Sequence, residues 1–104
     1  MITAFVQFKL AAPITLAEAT QRFESSAPKY RNLPGLVRKY YVLSEDGRVA
    51  GGIYVWESRA AAERIYSGEW RERVTRLYGA VPVIAWFESP AIVDNRAGEI
   101  GVPA

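Results

Sequence analysis

Residues 34–57 read PGLVRKYYVLSEDGRVAGGIYVWE, two strand-like runs, Leu36 to Leu43 and Val49 to Glu57, joined by the turn Glu45-Asp46-Gly47. Gly47 supplies the permissive backbone that the reversal needs. In the second run Ile53 and Val55 point one way while Tyr54 and Trp56 point the other, so both faces of this strand are apolar. A sheet apolar on both faces needs two covers. A chain of 104 residues supplies one layer of helices, and what lies over the second face becomes the functional question.

Upstream, Ile2, Ala4, Val6, Phe8 and Leu10 alternate with Thr3, Phe5, Gln7 and Lys9, which predicts a first strand from Ile2 to Leu10. Pro13 ends it. Thr15-Leu16-Ala17-Glu18 is a capping-box pattern, in which the Thr hydroxyl and the Glu carboxylate satisfy free amides of a first helical turn. Leu16, Ala19, Phe23 and Ala27 follow at helical spacing, so this helix buries one stripe and stops before Pro28. The turn Asn32-Leu33-Pro34-Gly35 leads into the second strand. Downstream of the third, Ser58 caps a helix through about Ser67 with Ala61, Ala62 and Ile65 inward, and Gly68 breaks it. Trp70 to Tyr78 repeats apolar residues at Trp70, Val74, Leu77 and Tyr78, and Gly79 ends this segment before a fourth strand, Val81 to Phe87.

The order β-α-β-β-α-β is the split-βαβ arrangement of a ferredoxin-like α+β fold, a four-stranded antiparallel sheet with its helices on one face. It predicts a ferredoxin-like domain over residues 1–90 and a C-terminal tail over 91–104. In the fourth strand Val83, Ala85 and Phe87 oppose Ile84 and Trp86; in the second, Val37, Tyr41 and Leu43 oppose Leu36, Tyr40 and Val42. With the aliphatic side taken by the helices, Tyr54, Trp56 and either Tyr40 or Tyr41 remain on the other. Three aromatic side chains at roughly 150 Å² or more each reach the upper range of apolar patches that monomers expose. The simplest cover is a second copy of the chain, because a two-fold axis matches a patch to itself. That predicts a dimeric α/β barrel with a cavity between the facing sheets. The tail either extends across the partner or is disordered, as termini often are.

Composition excludes more chemistry than any motif supports. The chain has no cysteine and no histidine, so disulfides, thiolate sites and the usual zinc, haem-iron and proton-shuttle ligand are absent. Thirteen basic against eleven acidic residues, evenly scattered, is too balanced for a nucleic-acid footprint. No apolar run approaches the ~20 residues needed to cross a bilayer, and MITAFVQFKL lacks the organisation of a secretion signal. The expectation is a cytoplasmic protein with no membrane and no nucleic-acid partner. Glu45-Asp46-Gly47 has too few oxygen ligands for a calcium loop, and Gly51-Gly52 lacks the pattern of a phosphate loop, its expected role being a bulge or a close backbone approach. Arg71, Arg73 and Arg76 with Glu69 and Glu72 make a charged helix face of the kind that meets solvent.

The run PGLVRKYYVLSEDGRVAGGIYVWESRAAAERIY, with its PG turn, the AGGIY opening the third strand and the ESRAAAE helix, resembles the YdhR-like mono-oxygenases of the wider antibiotic-biosynthesis-monooxygenase and dimeric α/β-barrel group. The similarity spans the first strand to the fourth. It implies a homodimer with a ligand cavity on the sheet face away from the helices, and oxygenation of small, often aromatic compounds without metal or flavin. One relative of this group degrades haem with a first-strand Asn, a Trp and a His. Those positions fall here at Gln7, Ile65 and near Thr75, so haem chemistry is not expected and Gln7 remains as a polar group facing the cavity.

Oxygenation without a cofactor requires a substrate that, once deprotonated, itself gives an electron to oxygen; the protein binds it, stabilises the anion and excludes water. Arg38 and Lys39 lie one on each face of the second strand. Whichever points inward can stabilise a phenolate or carboxylate, unless both are rim charges reaching to water. Tyr40, Tyr54 and Trp56 either stack on a planar substrate or pack a dimer core. Trp70 and Tyr78 either close the cavity mouth or belong to the ordinary core, and Trp86 is open in the same way. The catalytic residues are not identified by the sequence. Two rivals share these residues: a non-oxidative isomerase in the same cavity, and a small-ligand binding or interaction module without turnover.

Overall fold

The computed structural model describes residues 1–96 and 99–101. Four strands, β1 (Ile2–Lys9), β2 (Leu36–Leu43), β3 (Val49–Trp56) and β4 (Val83–Glu88), form one antiparallel sheet in the order β2-β3-β1-β4. Helices α1 (Leu16–Ser26), α2 (Arg59–Ile65) and α3 (Gly68–Tyr78) and a single 3₁₀ turn, Ala27–Tyr30, complete a ferredoxin-like α+β domain. The capping box forms as the sequence requires: the Glu18 amide donates to the Thr15 hydroxyl at 3.1 Å and the Thr15 amide to the Glu18 carboxylate at 3.1 Å. Gly79 closes α3 with φ 68°, its amide donating to the Thr75 carbonyl at 2.8 Å.

Three local expectations shift. Gly68 opens α3 rather than merely breaking the previous helix, because Ser67 caps it and the first helical amides need no intrahelical partner. The inward stripe of α1 is Ala19, Phe23 and Ser26, leaving Leu16 and Ala27 exposed. Chain direction changes at Ala27 into the 3₁₀ turn, which brings Tyr30 into the core instead. In β4 pairing begins at Val83 rather than Val81.

The larger correction concerns which face the helices cover. Pairing places Lys39, Tyr54, Ala4 and Trp86 in one row across the sheet, and Tyr41, Gly52, Val6 and Ile84 in the next, all on the helix side. Tyr54 and Trp56 therefore lie beneath the helices and not on the face away from them. Tyr66, just past α2, meets both rings edge-on at 5.4 and 5.7 Å, and its hydroxyl accepts the Trp56 indole N–H at 3.1 Å. Trp70 donates to the Tyr30 hydroxyl at 3.0 Å. The aromatic face wins the helices because these supply partners for buried indole N–H groups, while Ala61 and Ala62 let α2 approach closely.

A β-bulge between Leu36 and Arg38 also resets the parity of β2, so that Leu36 joins Tyr41 and Leu43 on the helix side, while Arg38, Tyr40 and Val42 share the open face. That face carries the rows Tyr40–Ile53–Phe5–Ala85, Arg38–Val55–Thr3–Phe87 and Val42–Gly51–Gln7–Val83. Tyr40, Val83 and Phe87 are 51%, 57% and 55% exposed, an apolar surface with only Arg38, Thr3 and Gln7 as polar members of the three rows.

Gly51 is held by space. A Cβ there would meet the Val6 carbonyl oxygen on β1, and a backbone atom cannot swing aside as a side chain can. Gly51→Ala is expected to lower stability by about 1–3 kcal/mol by forcing β1 and β3 apart, measured by denaturant unfolding. Part of the tail folds as a hairpin, β5 (Ile92–Asp94) with β6 (Glu99–Gly101). The rest of the tail expected to cross a partner, residues 97, 98 and 102–104, lies outside the described residues.

Candidate active site

A cavity of about 310 Å³ opens between the helix layer and the sheet. Its floor is Phe8 of β1, Lys39 and Tyr41 of β2, and Gly52 and Tyr54 of β3; Ser25, Ser26, Lys29 and Tyr30 form one wall, and α3 the other through Arg73, Val74, Arg76, Leu77 and Tyr78. Gly52 contributes backbone alone to the floor on the helix side. A Cβ there would lie 3.0 Å from both Lys39 Cε and Tyr54 Cε1, in the space across which the lysine stem runs.

The walls are aromatic and held in place by their own contacts. Tyr78 stacks on Phe8 at 4.3 Å and Tyr41 on Phe23 at 4.8 Å. The Tyr41 and Ser26 hydroxyls are hydrogen-bonded at 2.6 Å. Burial pushes the Tyr41, Tyr54 and Tyr78 hydroxyls above their ordinary range, so all three stay protonated near neutral pH and act as donors. The charged side chains of the lining are Lys29, Lys39, Arg73 and Arg76, with no carboxylate.

Lys39 is the unusual member. Its Nζ lies 3.5, 3.8 and 4.5 Å from the ring centres of Tyr30, Tyr41 and Tyr54. Removal from water, aided by the Arg73 guanidinium, lowers its pKa from 10.5 to about 6. The three ring faces oppose this, since each attracts a cation by ~0.5–2 kcal/mol. Between the folded value and that of the unfolded chain, the unfolded state binds more protons. Stability is therefore expected to rise with pH from about 6 towards 9, with a slope of at most about 1.4 kcal/mol per pH unit for this one proton. Lys39→Met should flatten that slope in denaturant midpoints measured across the same range.

Of the residues singled out from sequence, the structure brings Lys39, Tyr41, Tyr54 and Tyr78 to this cavity. Trp56 and Trp70 are enclosed in the core. Trp86 is half-buried beneath the Arg59 guanidinium, 3.7 Å away, and edge-on to Tyr66 at 5.7 Å. Gln7, Arg38 and Tyr40 lie on the open sheet face; Arg38 donates to the Tyr40 hydroxyl at 2.9 Å and pairs with Asp94 at 3.5 Å. Among the residues missed, Arg73 is not a purely solvated charge: it borders the Trp70–Leu77 stripe of α3 by three and four residues, and that flanking position was the available signal. Tyr30 gave none, because it follows Pro28 outside any periodic segment.

Residues 4–83 match the profile of the family described as "Putative mono-oxygenase ydhR". The chain belongs to this family. No curated protein matches it. Among solved structures, a monooxygenase from the gene ActVA-Orf6 of Streptomyces coelicolor, in complex with nanaomycin D, is 24% identical with a TM-score of 0.66, over 89% of this chain and 91% of that one. SnoaB, a cofactor-independent oxygenase from Streptomyces nogalater, is 21% identical with a TM-score of 0.62, over 85% and 91%. At these identities the likeness is one of fold. The ydhR family match covers β1 from residue 4 onward and all of α1, β2, β3, α2 and α3, and so every residue that lines the cavity. No helix among the described residues is long and apolar enough to cross a membrane.

Proposed function

We propose that this protein is a cofactor-independent mono-oxygenase that takes a small, planar, acidic aromatic compound into the cavity between α3 and the sheet, and that two copies associate through the open sheet face. The observation that carries the substrate class is the lining itself: ring-bearing walls with Lys29, Lys39, Arg73 and Arg76 and no carboxylate. A volume of about 310 Å³ sits at the lower end of ordinary ligand pockets. Such walls stack a planar ring, and the cationic rim attracts and holds an anion. The family match and the oxygenase neighbours support the reaction type. In this reading the chamber lies on the helix side rather than between facing sheets, and the open face serves pairing alone.

The chemistry asks little of the protein. Converting a ring C–H of a phenol to a quinone carbonyl with one O₂ releases one water, and the substrate's own C–H and O–H bonds supply the electrons. The protein orients the ring, stabilises the anion that donates to oxygen and keeps bulk water away. Oxygen uptake by purified, metal-chelated protein with a panel of small phenols tests this. The expected result is a saturable oxygen consumption matched by loss of the phenol, with the phenol left unconsumed when oxygen is removed. Turnover persisting under strict anaerobiosis would favour the isomerase, and binding without any turnover the ligand-binding module. Arg38, Tyr40 and Gln7, and the hairpin bearing Asp94, then belong to the proposed association surface.

A further inference from the structure

We infer that the Lys39 amine is the proton acceptor of the cavity, taking the hydroxyl proton of an acidic phenol and then holding the phenolate as its ammonium counter-ion. This rests on the proposed use of the helix-side cavity as the substrate site. In the step, the phenol O–H bond breaks, its electron pair stays on oxygen, and the proton forms a new N–H bond with the Nζ lone pair. No charge enters or leaves the cavity.

Three independent features support it. First, position: Nζ sits within 4.5 Å of three tyrosine ring centres, on a stem that crosses the sheet over the space left by Gly52. Second, elimination: the lining holds no carboxylate and the chain no histidine, the arginines stay charged, and Tyr41, Tyr54 and Tyr78 stay protonated. Lys29 lies exposed at the rim. Third, the surroundings suit an amine that is neutral when the site is empty and charged when it is filled. Groups reach it from every side: Tyr30 from the 3₁₀ turn, Tyr41 beside it on β2, Tyr54 from β3, and Arg73 from α3. The nearby guanidinium and the loss of water disfavour a lone ammonium. A phenolate alongside removes that penalty, and the ring faces then add to the stability of the pair.

The test uses para-cyanophenol, which is mostly neutral in water at neutral pH and changes its absorption on ionising. With the wild-type protein at pH 7 it is expected to bind as the phenolate and to release no proton to the solvent, because Lys39 keeps it. Lys39→Arg should also bind the phenolate but release one proton per phenol bound, since a guanidinium is already charged. Lys39→Met should bind it as the neutral phenol, or more weakly by about tenfold or more. Wild-type binding of the neutral form, proton release equal to that of the Arg variant, ionisation unchanged in the Met variant, or no binding would each overturn the inference. Oxygen uptake separates it from the reaction proposed above. Lys39-dependent ionisation without oxygen uptake leaves this inference standing and removes the oxygenase, whereas oxygen uptake undiminished in Lys39→Met does the reverse.

Discussion

Trp56→Ala is expected to lower the unfolding free energy by about 3–5 kcal/mol. The side chain is fully buried, lies parallel to Tyr54 with ring centres 6.0 Å apart, and meets Tyr66 edge-on at 5.7 Å. Truncation removes its apolar burial and leaves a void beneath α2 that close-packed neighbours fill only in part. It also deprives the Tyr66 hydroxyl of the indole donor 3.1 Å away. Set against the 5–15 kcal/mol that typically separates folded from unfolded domains, about 3–5 is a large fraction. Denaturant unfolding with an unchanged slope should show the loss as a lower midpoint. A cost below about 1 kcal/mol would mean that Trp56 is not beneath the helices, and the assignment of the two sheet faces would fall with it.

Ile53→Asp is expected to yield a monomer. Ile53 sits on central strand β3, between Tyr40 and Phe5 in the middle row of the open face. In a two-fold interface the same residue occurs twice, so one substitution places two carboxylates against an apolar surface. A single uncompensated charge in such an interface costs about 2–5 kcal/mol, which puts the weakening of association at about thirtyfold or more. Its side chain lies on the opposite sheet face and is not part of the cavity lining. Light scattering should therefore show a dimer for the wild type and a monomer for the variant, while para-cyanophenol still binds. A wild-type monomer would refute self-association and leave the open face, with Val83 and Phe87 more than half exposed, to some other cover.

Much of the fold was legible because each signal was local. The Thr15–Glu18 box, Gly47, Gly79 and the alternation of β1 and β3 are decided by neighbours a few residues away, and all are found where the sequence puts them. The candidate site was far less so. Gln7, Arg38 and Tyr40 fall on the open face, Trp56 and Trp70 disappear into the core, and Trp86 is half-buried away from the cavity; Tyr54 reaches it, together with Lys39, Tyr41 and Tyr78. Arg38 and Lys39 were known to face opposite ways. Which of them turns towards the helices depends on pairing with β3 after the bulge at Val37, and alternation within one strand does not carry that information.

The sequence by itself determined the order of elements, their turns and caps, and the fact that both faces of the sheet are apolar. Only the tertiary structure decided which face the helices take. A period of two sorts side chains into two sets without ranking them. The choice comes from distant groups: Tyr66 to receive the Trp56 indole, Tyr30 to receive that of Trp70, and Ala61 and Ala62 to let α2 settle onto the sheet. The cavity follows from the same long-range fit. It opens where Gly52, a glycine in a strand, meets tyrosines brought in from the 3₁₀ turn, β2 and α3.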